Sequence, residues 1–340
     1  MKPSSLRTAL PKLIAKQRPV FLWGAPGVGK SDVIRQIADD HKLELRDVRM
    51  TLLDITDLKG FPVPDTANGV MRWLIADFLP PMMIKKGSKM VPNTTKGLLL
   101  LDEMNSAIPA VQATGYQLVL NRMIGEYKLP GGWAVMAAGN RASDRSVVHA
   151  MPAALANRFV HLDFDISVDD WCHWATDNEI HTDLRAFIRF RPNLLHCFDG
   201  ATNPRAFPSP RSWAFVNDIY KDNHSADDEY ELIKGTVGEG AAAEFSGFVR
   251  QIKDLPTIDQ VLLDPDGTKV PTSPAGMYAM ATALDAKTTT NNIGRVMRYT
   301  DRLPVEFQVV YVRSAIRRDS KLTDTKEYMD WGIKHQNVLL

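Results

Sequence analysis

The sequence predicts an α/β sandwich built on a parallel sheet, followed by helical regions. Three observations predict it. An apolar run, Val20–Trp23, opens into a glycine-rich loop and then a helical pattern. A second apolar run, Gly97–Leu101, ends in two acids, Asp102 and Glu103. Strand and helix patterns alternate up to about residue 165 and are helical beyond it. Such alternation gives parallel strands covered by helices on both faces.

The bulk numbers agree with an ordinary globular chain. Its 340 residues suit two or three domains, with 44% hydrophobic and 24% charged residues. Lys+Arg of 41 against Asp+Glu of 40 leaves +1, so no polycationic footprint calls for nucleic acid. Two cysteines, Cys172 and Cys197, are too few for a disulfide framework and fit a reducing compartment. No apolar run reaches ~18 residues, and the N-terminal stretch lacks the apolar core of a secretion signal. A cytoplasmic location without a membrane span is expected.

The elements follow in order. Residues 1–18 read as an amphipathic helix with Leu6, Leu10, Leu13 and Ile14 on one face. The first strand and its loop come next, then a helix over 30–41 with Val33, Ile34 and Ile37 inward. A second strand spans about 43–50. Residues 60–73 read as an inserted hairpin around Asn68-Gly69, because Pro62 and Pro64 argue against a central strand. The lysines at 85, 86 and 89 read as a solvated loop. Gly97–Leu101 reads as a strand buried on both faces. A helix over 109–120, a small hairpin over 125–132 and a strand over 133–138 follow. Residues 153–159 read as a helix ending at Arg158, and 160–164 as the last strand.

Beyond residue 165 the patterns are helical. Leu184, Phe187 and Ile188 form an apolar helix face, with Arg185, Arg189 and Arg191 on a solvated basic face. Ser209-Pro210-Arg211 opens another helix. Residues 255–272 read as loop. Four helices fill 273–335, with Phe307, Val310 and Tyr311 as a core stripe and Arg313, Arg317 and Arg318 at a solvated end. Cys172, His173 and His181 match no standard metal spacing. The domains expected are an α/β domain over 1–165, a helical lid over 166–254 and a helical C-terminal region over 255–340.

The chemistry lies in the glycine-rich loop. Gly24, Ala25, Pro26, Gly27, Val28, Gly29, Lys30 and Ser31 spell G-x-x-x-x-G-K-[ST], with Asp32 next in the helix. Glycines let backbone N–H groups turn inward around phosphate, and the helix start adds partial positive charge. Lys30 supplies a full charge for the β- and γ-phosphates, and Ser31 a hydroxyl for Mg²⁺. Asp102 and Glu103 then stand at the carboxyl edge of the sheet, about 70 residues downstream, as a Walker B pair.

These motifs, with AAGN ending at Asn140, ALANRF ending in Arg158–Phe159, and SPRSW at Ser209–Trp213, make the chain resemble the AAA+ ATPases. The resemblance is to the MoxR or dynein-related branch, spans about residues 18–220, and includes the inserted hairpin, which in that branch faces a ring's pore. It implies an AAA+ core of P-loop αβα type with ATP and Mg²⁺. By resemblance Ser31 and Asp102 hold the metal, Glu103 is the general base, Asn140 is sensor 1, Arg158 is the arginine finger supplied to a neighbouring subunit, and Arg211 is sensor 2. Such families often carry a longer charged run before the finger, so Arg158 is chosen over Arg141 and Arg145. The implied function is a hexameric, chaperone-like ATPase that remodels a partner, with a von Willebrand factor A domain protein as a possible associate. A DNA-directed motor or loader and a nucleotide-gated, non-catalytic scaffold are the alternatives. Nucleic acid is possible but not indicated.

Overall fold

The computed structural model describes residues 1–144, 149–199, 205–222 and 224–336. These fall into two compact units. One takes in Met1–Ile166; the other takes in Ser167–Phe198 and the helices that follow.

The first unit is built on five parallel strands: β1 (Val20–Trp23), β2 (Glu44–Arg49), β3 (Gly97–Asp102), β4 (Trp133–Gly139) and β5 (Val160–Asp163). Their order across the sheet is β5-β1-β4-β3-β2. Leu22 lies beside Ala138 on one side and Leu162 on the other, and Leu99 pairs with Val135. Every residue of β3 and β4 is buried, which is why both read as unbroken apolar runs. Side chains alternate between two cores. Phe21, Leu99, Leu101, Val135 and Ala137 face one side, while Leu22, Leu98, Leu100, Ala134 and Met136 face the other. Each fully buried leucine contributes on the order of 2 kcal/mol.

Helices α1 (Pro3–Ala15) and α2 (Lys30–Asp40) cover the second of these cores through Leu6 and Leu10, and through Val33, Ile34 and Ile37. The expected αβα arrangement is therefore present, and α3 (Pro109–Asn121) covers the other face with Val111, Leu118 and Val119. The inserted hairpin pairs Phe61–Asp65 with Val70–Leu74 about the Asn68-Gly69 turn. No helix among the described residues is long and apolar enough to cross a membrane.

Local expectations change in three places in this unit. The lysines at 85, 86 and 89 lie on a second hairpin, Met83–Lys86 with Lys89–Pro92, rather than in a loop. Gly87, in the left-handed region, makes its turn. The small hairpin after α3 pairs Met123–Ile124 with Tyr127–Lys128, slightly earlier than expected. The helix expected over 153–159 stops after one turn, Ala153–Ala156, and leaves Arg158 in the turn that follows.

The second unit is helical. One core gathers Phe187, Trp213, Phe245 and Phe248; another gathers Val296, Tyr299, Tyr311 and Trp331. The loop expected over 255–272 contains a short helix, Ile258–Leu263, opened by a Thr257–Gln260 capping box. The basic face expected beside Phe187 is not solvated throughout. Arg185 is only 4% exposed, and Arg189 is half-buried. Arg185 and Arg318 both approach the fully buried Asp285, at 4.0 Å and 3.3 Å. Arg191 comes nearest to the expectation, its side chain 42% exposed and ion-paired with Glu244.

Candidate nucleotide site

The glycine-rich loop joins the end of β1 to α2. Gly29 caps α2 in the left-handed region, φ +94°, where a side chain would be strained. That conformation starts the helix at Lys30 and turns the chain around the loop's mouth. Lys30 Nζ donates to the Gly24 and Ala25 carbonyl oxygens at 2.7 and 2.9 Å, and to Asn140 Oδ1 at 3.1 Å. The ammonium thus sits between the loop and the tip of β4.

One residue on, Ser31 Oγ donates to Asp102 Oδ2 at 2.7 Å. Asp102 is the last residue of β3 and 6% exposed, so this carboxylate reaches the loop from inside the sheet. Its second oxygen accepts the Glu103 backbone N–H at 2.9 Å. Glu103 adopts φ +54°, rare for a residue with a side chain. The strand ends there, and the glutamate leaves the strand's path. Its Oε2 accepts the Thr51 hydroxyl at 2.7 Å.

Asn140, directly after β4, is held from behind. Its backbone carbonyl accepts Asn105 Nδ2 at 2.8 Å, and Asn105 is 3% exposed. The Asn105 carbonyl accepts Gln112 Nε2 and the His149 backbone N–H. Gly139 packs against this amide so closely that an added Cβ would lie 2.1 Å from Asn105 Oδ1 and 2.8 Å from Phe21 Cζ. Only glycine fits between β1 and the asparagine.

Asp47 on β2 adds a further acid. Burial and the nearby Asp102 carboxylate raise it above the usual range, partly offset by Arg35 at 3.3 Å.

The donor set fits a nucleoside triphosphate with a divalent cation. A hydroxyl and a carboxylate, both oxygen donors, stand 2.7 Å apart beside an inward ammonium. Ser31 and Asp102 are the residues that would hold the metal.

The remaining predicted residues are distributed as follows. Arg158 is exposed, and its side chain makes no hydrogen bond or ion pair among the described residues. Arg141 is engaged inside the unit: it bonds Asp163 Oδ1 at 3.0 Å and the Phe164 carbonyl at 3.3 Å. Arg145 lies outside the described residues. Arg211 belongs to the other unit. It is exposed in the first turn of the helix Pro210–Lys221, whose start is closed by a Ser209–Ser212 capping box. Thr51 and Asn105 are the site residues that motif reading did not assign. The contact of Asn105 with Asn140 spans 35 positions and has no local signal.

No family model matches the chain. Over 198 residues, 55% of this chain, it is 27% identical to a Midasin from Giardia intestinalis, and it spans only 4% of that protein's length. Among solved structures, a candidate ATPase from Cytophaga hutchinsonii covers 91% of this chain and 79% of its own at 16% identity, TM-score 0.35. The Holliday junction branch-migration motor RuvB of Thermotoga maritima covers 76% of this chain and 73% of its own, also at 16%, TM-score 0.37. Both overlays are too loose to bear on fold or function. The strand order, the phosphate loop on β1 and the acidic pair on β3 give this chain a P-loop α/β fold.

Proposed function

We propose that this chain hydrolyses ATP. The observation that carries the reading is the convergence at one sheet edge of Lys30, Ser31, Asp102, Glu103 and Asn140, from two strand ends and one helix start. In this reading the loop amides and Lys30 hold the phosphates. Ser31 and Asp102 would hold a magnesium ion, which would supply charge neutralisation. Glu103 accepts the proton of the attacking water, and Asn140 orients that water. Such chemistry is mostly positioning and electrostatics, which a preformed cluster provides.

Arg158, exposed and unpaired among the described residues, is the arginine for a neighbouring subunit's nucleotide, and Arg211 is the sensor on the helical unit. A hexameric ring of MoxR type follows, with hydrolysis used to remodel a partner protein, and a von Willebrand factor A domain protein as its associate. Two observations support it: the motif resemblance, and a hairpin that leaves Phe61, Met71 and Leu74 exposed by 69, 56 and 63%. The near-zero net charge supports a protein client over nucleic acid.

The test is ATP binding and phosphate release by the wild type and by Lys30→Ala, with and without DNA or RNA. The reading requires Mg²⁺-dependent release that Lys30→Ala abolishes and nucleic acid leaves unchanged. Undiminished ATP affinity in Lys30→Ala would overturn the site, and strong stimulation by DNA would replace the protein-remodelling role.

A further inference from the structure

The helical unit contains a cavity of about 440 Å³. Four helices wall it: Val168–Asp177, Thr182–Phe190, Pro274–Lys287 and Val305–Arg318. Arg189, Arg313 and Arg317 line it together with His173 and Tyr278, and three valines supply apolar wall. The volume is in the range of small-molecule sites.

The charges are unbalanced. Arg189 is half-buried, yet its guanidinium meets neutral partners: Thr282 Oγ1 at 3.1 Å, Ser314 Oγ at 2.9 Å and the buried Cys172 thiol. It forms no ion pair among the described residues. The Ser314 hydroxyl hydrogen is itself committed to Asp285 Oδ2 at 2.6 Å, which fixes Ser314 as an acceptor for Arg189. Arg313 is exposed and has no ion pair among the described residues. Arg317 meets Asp170 only at 3.9 Å. Among the described residues, Asp169 is the one carboxylate lining the cavity, and it is exposed. Three guanidinium groups therefore share the wall with one acid, while Asp170 stands 3.9 Å from Arg317.

The neighbouring imidazole registers that field. Burial, then Arg317 and Arg189, push His173 below its ordinary value, outweighing Asp169 and Asp170. Converging arginines with a hydrogen-bonded backing match the planar, multidentate recognition of phosphate oxygens.

We propose that this cavity binds a phosphorylated small molecule, its phosphate held by Arg189, Arg313 and Arg317 and its remainder against Tyr278 and the valines. The site is separate in sequence and in unit from the triphosphate loop. Arg189 is fixed in advance by Ser314 and Thr282, while Arg313 and Arg317 close on the ligand from the helix Val305–Arg318.

The experiment uses the full chain carrying Lys30→Ala, so that the triphosphate loop does not contribute. Pyrophosphate and inorganic phosphate are titrated by calorimetry at fixed ionic strength, with succinate as a carboxylate control. The proposal expects one pyrophosphate per chain, weakened about tenfold or more by Arg313→Ala and again by Arg317→Ala. Both arginines are exposed, so circular dichroism of these variants should be unchanged. Arg189→Lys, which keeps the charge but loses the fork, should also weaken binding. Absence of pyrophosphate binding at ~10 mM, or binding indifferent to Arg313 and Arg317, would overturn the proposal. Succinate binding more tightly than pyrophosphate would overturn phosphate as the ligand class. Because Lys30 is already removed, none of these results depends on whether the loop hydrolyses ATP.

Discussion

Ser31 donates its hydroxyl hydrogen to Asp102 at 2.7 Å, joining the first turn of α2 to the last residue of β3 across 71 positions of sequence. Hydroxyl and carboxylate are thereby aligned before any ligand arrives. Asp102→Asn should keep the fold and lower affinity for Mg²⁺–ATP about tenfold or more, because a charged oxygen donor is lost. Fluorescent-nucleotide titration with and without Mg²⁺ checks this. An equal loss without Mg²⁺ would mean that the carboxylate acts through structure.

The Thr51 hydroxyl holds the carboxylate of Glu103, the proposed base. Thr51→Val should lower kcat about tenfold with little change in KM, and Thr51→Ser should restore it. Steady-state phosphate release separates these parameters. A KM effect with unchanged kcat would place Thr51 in binding instead.

Gly139 is the tightest point between the sheet and Asn140. Gly139→Ala forces the new Cβ onto Asn105 and Phe21 and should destabilise the first unit by about 1–3 kcal/mol. Its kcat should fall as well, since Asn105 can no longer hold Asn140. Urea denaturation with parallel rate measurement tests both halves.

In the second unit, Asp285 sits between Arg185 and Arg318 with no solvent exposure. Asp285→Asn leaves a buried guanidinium without its counter-charge and should cost about 3–5 kcal/mol by denaturant unfolding. His173 adds a pH signature. Its folded-state value lies below the ordinary 6.5, so the unfolded chain binds the proton more readily. Stability should fall as pH drops below about 6.5, and Arg317→Ala should reduce that loss, because one repelling charge is gone.

Much of the nucleotide site was legible because its chemistry is local. Gly29, Lys30 and Ser31 are fixed by the loop's own geometry, and Asp102 by the apolar run that carries it. The sheet was legible because β3 and β4 are buried on both faces and therefore lack polar interruption. What escaped depends on distant partners. Nothing adjacent to Asn105 in the chain marks it until Asn140 is seen against it. Arg185 and Arg189 look like a solvated face until Asp285, about 100 positions away, and Ser314 come to meet them. The second hairpin was obscured because its lysines are exposed and its turn, Gly87-Ser88, is a weaker signal than Asn68-Gly69.

Arg158 gives a prediction about assembly. Arg158→Ala and Lys30→Ala proteins should each be nearly inactive, and mixing them should restore activity, because one supplies intact loops and the other intact arginines. Rates on mixing, with mixed rings verified by differential tagging, decide the point. No recovery in verified mixed rings would place Arg158 outside the reaction.

The most direct measurement is single-turnover release of phosphate from ATP by Glu103→Gln, beside its ATP affinity. A base at Glu103 requires wild-type affinity with release slowed at least about a hundredfold. Release at near wild-type rate would contradict it, since the base would then lie elsewhere than at the end of β3.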